Sequence, residues 1–201
     1  MKSPLVSVIV NCHNGQKYLL ECVKSILNQT YKNFEIIFWD NYSTDQSYKI
    51  IKKIKDKRIR KFKVNKFSNL YKSRNLAISK SKGKYITFCD TDDLWAKNKL
   101  IDQIKLFKKN KDIKFIYSNY FVLNEIKKKK YIQFQNRLPE GFITQDLLNN
   151  YTIGILTIMF DKKIIKNRSF NPKLNIIGDF DLFINLSTKF KFHYIQKPLA
   201  V

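Results

Sequence analysis

Apolar residues in the first half of the chain follow two alternating patterns. Short continuous apolar runs, typical of buried strands, alternate with segments in which apolar residues recur every three or four positions, typical of helices. Ser43 with Gln46 three positions later resembles a capping box that opens the second helix. Because strands and helices alternate, we predict a parallel sheet with helices on both faces. The predicted strands are residues 6–10, 34–39, 59–64 and 85–89, and the predicted helices are 17–28, 43–54, 70–81 and 97–109.

The second half of the chain has a less regular pattern. No apolar run approaches the roughly 20 residues that a helix needs to span a bilayer. No linker or internal repeat interrupts the chain, so we predict one domain, residues 1–201, with a doubly wound, mostly parallel α/β sheet. The predicted strands here are residues 115–123, 131–134, 156–160 and 192–195, and the predicted helices are 144–150 and 179–189.

The composition is that of a globular protein with a large positive charge. Hydrophobic residues make up 44% of the 201, which is enough for a sizeable core. Lysine and arginine number 39 against 16 acidic residues, a net charge of +23, which leaves nucleic acid or an anionic membrane open as partners. Few of the basic residues are arginine, so we do not expect dedicated nucleic-acid binding. The three cysteines show no metal-binding spacing, which favours a reducing cytoplasm.

Three carboxylates follow the predicted strand at 85–89 within four positions. They belong to Asp90, Asp92 and Asp93. Carboxylates crowded at a strand end repel one another unless a cation lies between them, and the usual cation is divalent with oxygen ligands. Sites with few protein carboxylates let substrate phosphates complete the coordination shell. We therefore predict a divalent cation on Asp90 and Asp92, next to a phosphorylated substrate.

Polar residues also follow two other predicted parallel strands. Asn11 and His13 follow the first strand, and Asp40 and Asn41 follow the second. The carboxyl ends of parallel strands meet at one edge of the sheet, where α/β proteins bind ligands. The chain contains neither G-x-G-x-x-G nor a P-loop, which excludes the usual dinucleotide oxidoreductases and P-loop phosphotransferases.

Six segments, in this order, resemble the family 2 inverting glycosyltransferases with the GT-A fold. The resemblance covers residues 6 to 183 and includes the D-x-D motif at 90–92. The segments are VSVIVNCHN at 6–14, SILNQTY at 25–31, FEIIFWDNYSTD at 34–45, SRNLA at 73–77, GKYITFCDTDDLW at 83–95 and GDFDLF at 178–183.

The resemblance implies a donor site in residues 1–95. His13 would stack on the nucleobase, Asp40 and Asn41 would reach the base, and Arg74 would lie near the nucleotide. Asn41 stands where the family commonly has aspartate, so the nucleobase stays open. His13 could instead be an ordinary hydrogen-bonding residue, and Arg74 an exposed helical charge. Asn11 and Thr91 complete the expected donor-binding set.

The resemblance also implies the catalytic groups. Asp90 would approach the ribose, Asp92 would hold Mg²⁺ or Mn²⁺ on the donor diphosphate, and Asp179 would act as general base. Asp179 could instead stabilise the start of the last helix, where acidic residues complement the helix dipole. Asp93 is expected to bond backbone groups.

The expected reaction is a metal-dependent, inverting transfer of a sugar. The donor would be a nucleoside-diphosphate sugar, and residues 96–201 would accept a glycan or lipid-linked acceptor. We expect a cytoplasmic protein, with peripheral contact at the inner face of an anionic membrane left open. Relatives typically continue beyond the position of Val201, with a histidine near the metal, so the acceptor half is expected to be shortened.

Two alternatives stay open from the sequence. A sugar-nucleotide nucleotidylyltransferase would share the sheet and the metal carboxylates, but that class usually has a glycine-rich basic loop where residues 11–16 stand. A basic nucleic-acid-binding protein would need a basic face with interleaved aromatic residues and would leave the acidic clusters unexplained.

Overall fold

A computed structural model of the chain describes residues 3–165 and 169–201. Nine strands and six α-helices are defined in these ranges. The strands are β1 (Val6–Cys12), β2 (Phe34–Asp40), β3 (Ile59–Lys63), β4 (Tyr85–Phe88), β5 (Phe115–Asn119), β6 (Phe121–Asn124), β7 (Lys129–Ile132), β8 (Met159–Asp161) and β9 (Phe192–Pro198). The helices are α1 (Leu19–Leu27), α2 (Ser47–Lys53), α3 (Leu70–Ser79), α4 (Lys99–Lys109), α5 (Thr144–Asn149) and α6 (Gly178–Ser187).

Seven of the strands form one sheet in the order β3-β2-β1-β4-β8-β5-β9. Strands β1 to β4 are parallel, β8 is antiparallel to both of its neighbours, and β9 is parallel to β5. The predicted mostly parallel α/β sheet is therefore confirmed. Within the described ranges, no helix is both long enough and apolar enough to cross a bilayer.

Both faces of the sheet are covered by apolar side chains. Along β1, Val8 and Val10 belong to the core under α1, whereas Ile9 belongs to the core on the other face, under α3 and α6. Every residue of β1 and β2 is buried. A strand buried on both faces needs apolar residues at consecutive positions, which is why these strands appear as continuous apolar runs.

The predicted strand at 115–123 is wrong, because the chain forms two strands that belong to different sheets. The break falls after Asn119, whose Oδ1 accepts from the backbone N–H of Tyr120 at 2.9 Å and of Phe134 at 3.2 Å. Its Nδ2 donates to the carbonyl of Phe134 at 2.7 Å. This amide takes over bonds that a ladder would have made. As a result β6 pairs only with β7, in a separate two-stranded sheet.

The capping box predicted at Ser43 and Gln46 is also wrong. Helix α2 begins at Ser47, whose N–H donates to Oδ1 of Asp45 at 2.9 Å. The Ser43 hydroxyl instead accepts from the backbone N–H of Asn14 at 3.0 Å. Ser43 therefore ties the loop after β1 to the loop after β2.

Candidate functional site

The carboxyl edge of the sheet, where β1, β2 and β4 end, contains buried polar atoms without partners. Asn11 is buried near the end of β1, and neither its Oδ1 nor its Nδ2 has a hydrogen-bond partner among the described residues. Asp40, the last residue of β2, is fully buried; its Oδ1 accepts from the N–H of Ser43 at 3.2 Å, but its Oδ2 has no partner in the described ranges. Since buried polar atoms are nearly always hydrogen-bonded, such a group is typical of a ligand site.

Arg74 of α3, which is buried, and Asp90, which is partly exposed, form an ion pair at this edge. Nη2 of Arg74 donates to both carboxylate oxygens of Asp90, at 3.0 and 2.8 Å. The Arg74 guanidinium is surrounded by the rings of Tyr71, Phe88 and Phe170 at 5.6–5.9 Å. Arg74 is therefore not the exposed helical charge that the sequence left open. Its Nε has no partner in the part of the chain that the structure describes.

The loop after β4 presents one exposed carboxylate and one half-buried carboxylate. Asp92 is exposed, whereas Asp93 is half-buried and accepts from the N–H of Asp90 at 3.3 Å. Burial, followed by the charges of Asp90 and Asp92, raises the pKa of Asp93 to about 8. The backbone bond of Asp93 is the structural role that the sequence predicts for it. Asp93 thus fixes the loop that presents Asp92.

Gly15 allows the loop after β1 to approach the loop after β4. A Cβ atom at Gly15 would lie 2.7 Å from Oγ1 of Thr91, closer than real Cβ atoms come to other atoms. A side chain at this position would force Thr91 or one of the two loops to shift. Thr91, which is half-buried, therefore lies in the joint between these loops.

The carboxylates fit a divalent cation that takes few ligands from the protein. Within residues 3–165 and 169–201, no group of three or more histidine, cysteine, aspartate or glutamate side chains could enclose a metal ion. Asp90 is held by Arg74, which leaves Asp92 as the accessible carboxylate of the D-x-D motif. Mg²⁺ in particular is commonly bound by one or two carboxylates together with substrate phosphates and water. The donor set fits such an ion.

A small cleft of about 150 Å³ lies beside the unpartnered atoms of the edge. The rings of His13 and Phe67 are 4.8 Å apart at its mouth. His13 is exposed, and its Nδ1 lies 3.0 Å from the carbonyl oxygen of Asn41. The cleft is lined by Asn11, Cys12, His13, Asn41, Phe67, Leu70 and Ser73.

Two residues of this cleft differ from what the sequence indicated. The Asn41 amide is engaged with Ser68: Nδ2 donates to its carbonyl, and Oδ1 accepts from its N–H at 3.2 Å. Phe67 was not predicted at the site. Its only sequence signal is an aromatic residue in the polar loop between β3 and α3, and such a signal does not reveal which ring it will face.

Asp179 lies in the first turn of α6, which packs against α3. A Cβ at Gly178 would lie 2.6 Å from the ring of Tyr71, so only glycine lets the start of α6 approach this closely. Tyr71 is one turn from Arg74, whose guanidinium is 5.9 Å from the Tyr71 ring. The Tyr151 hydroxyl donates to Oδ2 of Asp179 at 3.4 Å. These contacts connect the start of α6 to the Arg74–Asp90 pair.

Asp92 lines a second cleft, of about 440 Å³, on the other side of its loop. The hairpin of β6 and β7 forms one wall and α1 forms another, and Asp179 is not among the lining residues. The lining residues are Tyr18, Glu21, Asp92, Asp93, Leu94, Tyr120, Phe121, Val122, Leu123, Glu125, Leu156 and Val201. The cleft thus has acidic residues on the D-x-D loop, on α1 and at the turn of the hairpin, and apolar residues along β6.

A larger cleft, of about 670 Å³, lies at the opposite edge of the sheet. It is lined by the end of α3 and by lysines that include Lys82, Lys84, Lys162 and Lys163. Its described lining residues contribute no buried polar side-chain atom that lacks a partner. Volume therefore favours this cleft, but the unsatisfied polar groups favour the carboxyl edge.

Comparison with known proteins identifies similar sequences and similar folds. The family model described as glycosyl transferase family 2 matches residues 7–170. The chain is 37% identical over 185 residues to the Escherichia coli protein WfaP, named UDP-Glc:alpha-D-GlcNAc-diphosphoundecaprenol beta-1,3-glucosyltransferase. The match covers 92% of this chain and 71% of WfaP.

Two solved structures share the fold. Staphylococcus aureus TarS 1–349 superposes with a TM-score of 0.82 at 21% identity, over 97% of this chain and 59% of that chain, and TarS has also been crystallised with UDP-GlcNAc. The mannosyltransferase PcManGT from Pyrobaculum calidifontis, in complex with GDP-Man and Mn²⁺, gives a TM-score of 0.70 at 16% identity. It matches 98% of this chain and 55% of that chain.

Proposed function

The chain belongs to glycosyltransferase family 2, and we propose that it transfers a sugar from a UDP-sugar to a hydroxyl group of a glycan or lipid-linked acceptor. One observation carries the donor half of this proposal. The buried side chains of Asn11, Asp40 and Arg74 hold unpartnered polar atoms at the carboxyl edge, within the described residues. Leaving a buried donor or acceptor unpaired costs about 1–3 kcal/mol, and a bound nucleotide would remove that cost.

The nucleoside would occupy the cleft that His13 and Phe67 help to line. Its base would stack on the exposed His13 ring and bond to Asn11, which lines the cleft, and to the unpartnered Oδ2 of Asp40, which directly precedes the lining residue Asn41. Arg74 would act on the nucleotide by holding Asp90 in place for the ribose. We choose uracil as the base because WfaP is named for UDP-Glc and TarS is known with UDP-GlcNAc. The engaged amide of Asn41 supports the loop at Ser68 and does not need to reach the base.

Asp92, with Asp90 beside it, would hold Mg²⁺ or Mn²⁺. A bound divalent ion would offset the charge that develops on the leaving diphosphate. Arg74 keeps the carboxylate of Asp90 fixed, and Asp93 keeps the loop fixed. The protein thus supplies a pre-positioned carboxylate and leaves room for phosphate oxygens.

Asp179 would remove the proton from the acceptor hydroxyl. Such a general base contributes about 10²–10⁴-fold to the rate. The Tyr151 hydroxyl donates to Oδ2 of Asp179, which orients the carboxylate and leaves Oδ1 for the acceptor. Attack on the anomeric carbon from the face opposite the diphosphate would invert its configuration. No covalent intermediate is needed.

The acceptor would enter from the side formed by residues 96–201 and carry a lipid diphosphate or a glycan. WfaP, whose name specifies a diphosphoundecaprenol acceptor, supports this assignment. We propose a cytoplasmic enzyme at the inner face of the membrane. The three free cysteines support a reducing compartment.

Thermal unfolding with a panel of nucleotides tests the donor assignment. UDP, GDP, dTDP and CMP would each be added with and without Mn²⁺. A ligand at about 100 times its Kd adds about 2.7 kcal/mol to the free energy of unfolding. We expect the largest increase in Tm with UDP and Mn²⁺ together.

Two aspartate variants make this test specific. Asp92→Ala should abolish the Mn²⁺-dependent part of the UDP response. Asp112→Ala removes a similarly exposed carboxylate beyond α4 and should leave the response intact. The proposal is contradicted when none of the four nucleotides raises the Tm, or when both variants respond like the unmodified chain.

A further inference from the structure

The hairpin of β6 and β7 is a protrusion built differently from the rest of the molecule. Its two strands pair only with each other. All three of Lys129, Lys130 and Tyr131 in β7 are exposed. An isolated two-stranded hairpin is marginally stable in water at best, so it needs support from other contacts. Those contacts lie at its base, where the N–H of Phe121 donates to the carbonyl of Ala200 at 2.8 Å.

The end of the hairpin combines a bare aliphatic side chain with four consecutive lysines. Ile126 is 95% exposed, and Leu123 is 48% exposed. Lys127, Lys128, Lys129 and Lys130 follow directly, and all four are exposed. We call Leu123 and residues 126–130 the hairpin tip.

The acidic residue of the hairpin does not neutralise this tip. Glu125 accepts from the Tyr18 hydroxyl at 2.6 Å and from Nζ of Lys17 at 3.4 Å, both near the start of α1. These contacts lower the pKa of Glu125, with the Tyr18 bond as the largest cause. Glu125 therefore anchors the hairpin to α1 and leaves the lysines as the charge of the tip.

An aliphatic side chain beside clustered lysines matches the interface of an anionic bilayer. Apolar side chains enter the boundary between headgroups and acyl chains, and each lysine near an anionic surface contributes about 1 kcal/mol. Single-stranded nucleic acid is bound by basic grooves with aromatic platforms for stacking. The hairpin has one exposed ring, Tyr131, but tyrosine is also common at membrane interfaces, and the most exposed apolar residue is the aliphatic Ile126. The chemistry of the tip thus favours lipid.

We propose that the hairpin tip docks the protein on an anionic lipid bilayer, with Ile126 inserted and the lysines against the headgroups. The role of this docking rests on the proposed function. Phe121, Val122 and Leu123 of the same hairpin line the cleft that contains Asp92, the proposed metal ligand. A docked tip would hold the mouth of that cleft at the membrane surface. The side of the molecule on which the proposed metal carboxylate Asp92 is exposed would then face the membrane that holds a lipid-linked acceptor.

Vesicle co-sedimentation of the full chain tests the proposal. The vesicles would contain phosphatidylcholine alone or phosphatidylcholine with phosphatidylglycerol. We expect binding to the anionic vesicles only, weakened by salt. The triple variant Lys127→Gln, Lys129→Gln, Lys130→Gln should weaken it by about tenfold or more. Lys128 is left in place because its φ of 47° makes that position sensitive to substitution.

Matched variants separate the contribution of the hairpin tip to vesicle binding from that of the overall charge. The variant Lys49→Gln, Lys52→Gln, Lys53→Gln removes the same charge from three exposed positions of α2. It should bind nearly as well as the unmodified chain. Ile126→Ser removes no charge and should weaken binding by about threefold or more. Equal losses from the two triple variants, or no binding to anionic vesicles, would overturn the proposal.

The increase in Tm with UDP and Mn²⁺ distinguishes a failure of the membrane proposal from a failure of the proposed function. The substituted tip residues line neither cleft at the carboxyl edge, so each tip variant should keep the Tm increase of the unmodified chain. A chain that binds anionic vesicles through the tip but ignores UDP would contradict the proposed function alone. A chain that responds to UDP but binds DNA through the tip and no vesicles would contradict the membrane proposal alone.

Discussion

Buried polar groups have hydrogen-bond partners at one edge of the main sheet and lack them at the other. At the amino edge, Oε1 of Glu35 accepts from the hydroxyl of Ser7 at 2.7 Å and from the N–H of Lys82 at 2.5 Å, and its Oε2 accepts from Arg60 at 2.8 Å. The Ser7 hydroxyl in turn accepts from the N–H of Gly83 at 2.8 Å. Each polar group of this network has a partner within the protein.

At the carboxyl edge, comparable groups lack partners. Oδ2 of Asp40 and the whole Asn11 amide are buried without a hydrogen bond in the described part of the chain. A paired buried group adds to stability, whereas an unpaired one lowers it. The contrast indicates that the amino edge maintains the fold and that the carboxyl edge is completed by a ligand.

The largest expected effect is on catalysis at the carboxyl edge. Asp179→Asn should lower the rate of sugar transfer by about 10²–10⁴-fold, because the amide cannot take the acceptor proton. Binding of UDP with Mn²⁺ should be unchanged. Transfer of labelled sugar and the shift in Tm measure the two quantities separately. Asp181→Asn, in the same helical turn, serves as the control and should keep its activity; retained turnover in Asp179→Asn would show that the base lies elsewhere.

The next effect is on stability at the amino edge. Glu35→Ala leaves the Ser7 hydroxyl and the Lys82 N–H without their acceptor, removes the ion pair with Arg60, and should lower the free energy of unfolding by about 2 kcal/mol. Burial opposes charging of Glu35, but its bonds to these three residues together hold its pKa below the ordinary value. The stabilisation is therefore present above the ordinary pKa of glutamate and is lost as the pH falls through the lower folded pKa.

Chemical denaturation at neutral and acidic pH measures this loss. The Glu35→Ala chain should still respond to UDP and Mn²⁺. Glu140→Ala removes an exposed carboxylate that pairs with Arg137 and lies 2.8 Å from Nδ1 of His193, and it should change the stability by only about 1 kcal/mol. Should Glu35→Ala abolish the UDP response without changing the stability, the contrast between the edges would be wrong.

Lys99 is fully buried and has hydrogen-bond partners, so it gives a pH-dependent test of how a paired buried group affects stability. Nζ of Lys99 donates to Oγ1 of Thr87 at 3.1 Å and to Oε1 of Gln103 at 2.9 Å, and burial lowers its pKa from 10.5 to about 7. The unfolded chain therefore binds this proton at a higher pH than the folded chain does. Stability is lost as the pH falls from the unfolded pKa toward the folded one.

Comparison with Lys99→Met isolates this contribution. Between about pH 9 and about pH 7, the unmodified chain should lose about 2 kcal/mol relative to the variant. Urea denaturation at both pH values measures the difference. A constant difference between the two chains would mean that Lys99 stays charged in the folded protein.

The smallest effect is expected at Asn11. Asn11→Ala removes a buried amide without a described partner but leaves a small cavity, and because these two effects oppose each other the stability should change by less than about 1 kcal/mol. The affinity for UDP should fall by about tenfold, the value of one hydrogen bond. Isothermal titration measures that affinity. A large loss of stability with unchanged affinity would assign Asn11 to the fold instead of the ligand.

The sequence predicts the first four strands well because local pattern and burial agree there. Val8 and Ile9 are neighbours that face different cores, and only a strand covered on both faces needs that pattern. The position of Asp90 and Asp92 follows from the same strands, since the end of a strand is visible in the sequence.

What the sequence could not predict depends on contacts between distant residues. The ion pair of Arg74 with Asp90 requires α3 to pack beside the end of β4, and no local pattern specifies that packing. The strand break at Tyr120 depends on bonds from Asn119 to Phe134, fifteen positions away. Propensity alone favours one continuous strand there, and the tertiary bonds override it.

A crystal structure of the protein with UDP and Mn²⁺ tests the central claim most directly. We predict that the base lies in the cleft lined by His13 and Phe67, stacked on the His13 ring and bonded to Oδ2 of Asp40 and to the Asn11 amide, with the ion on Asp92. Nucleotide density in the lysine-lined cleft of the amino edge, with Asp40 and Asn11 still unpaired, would contradict it.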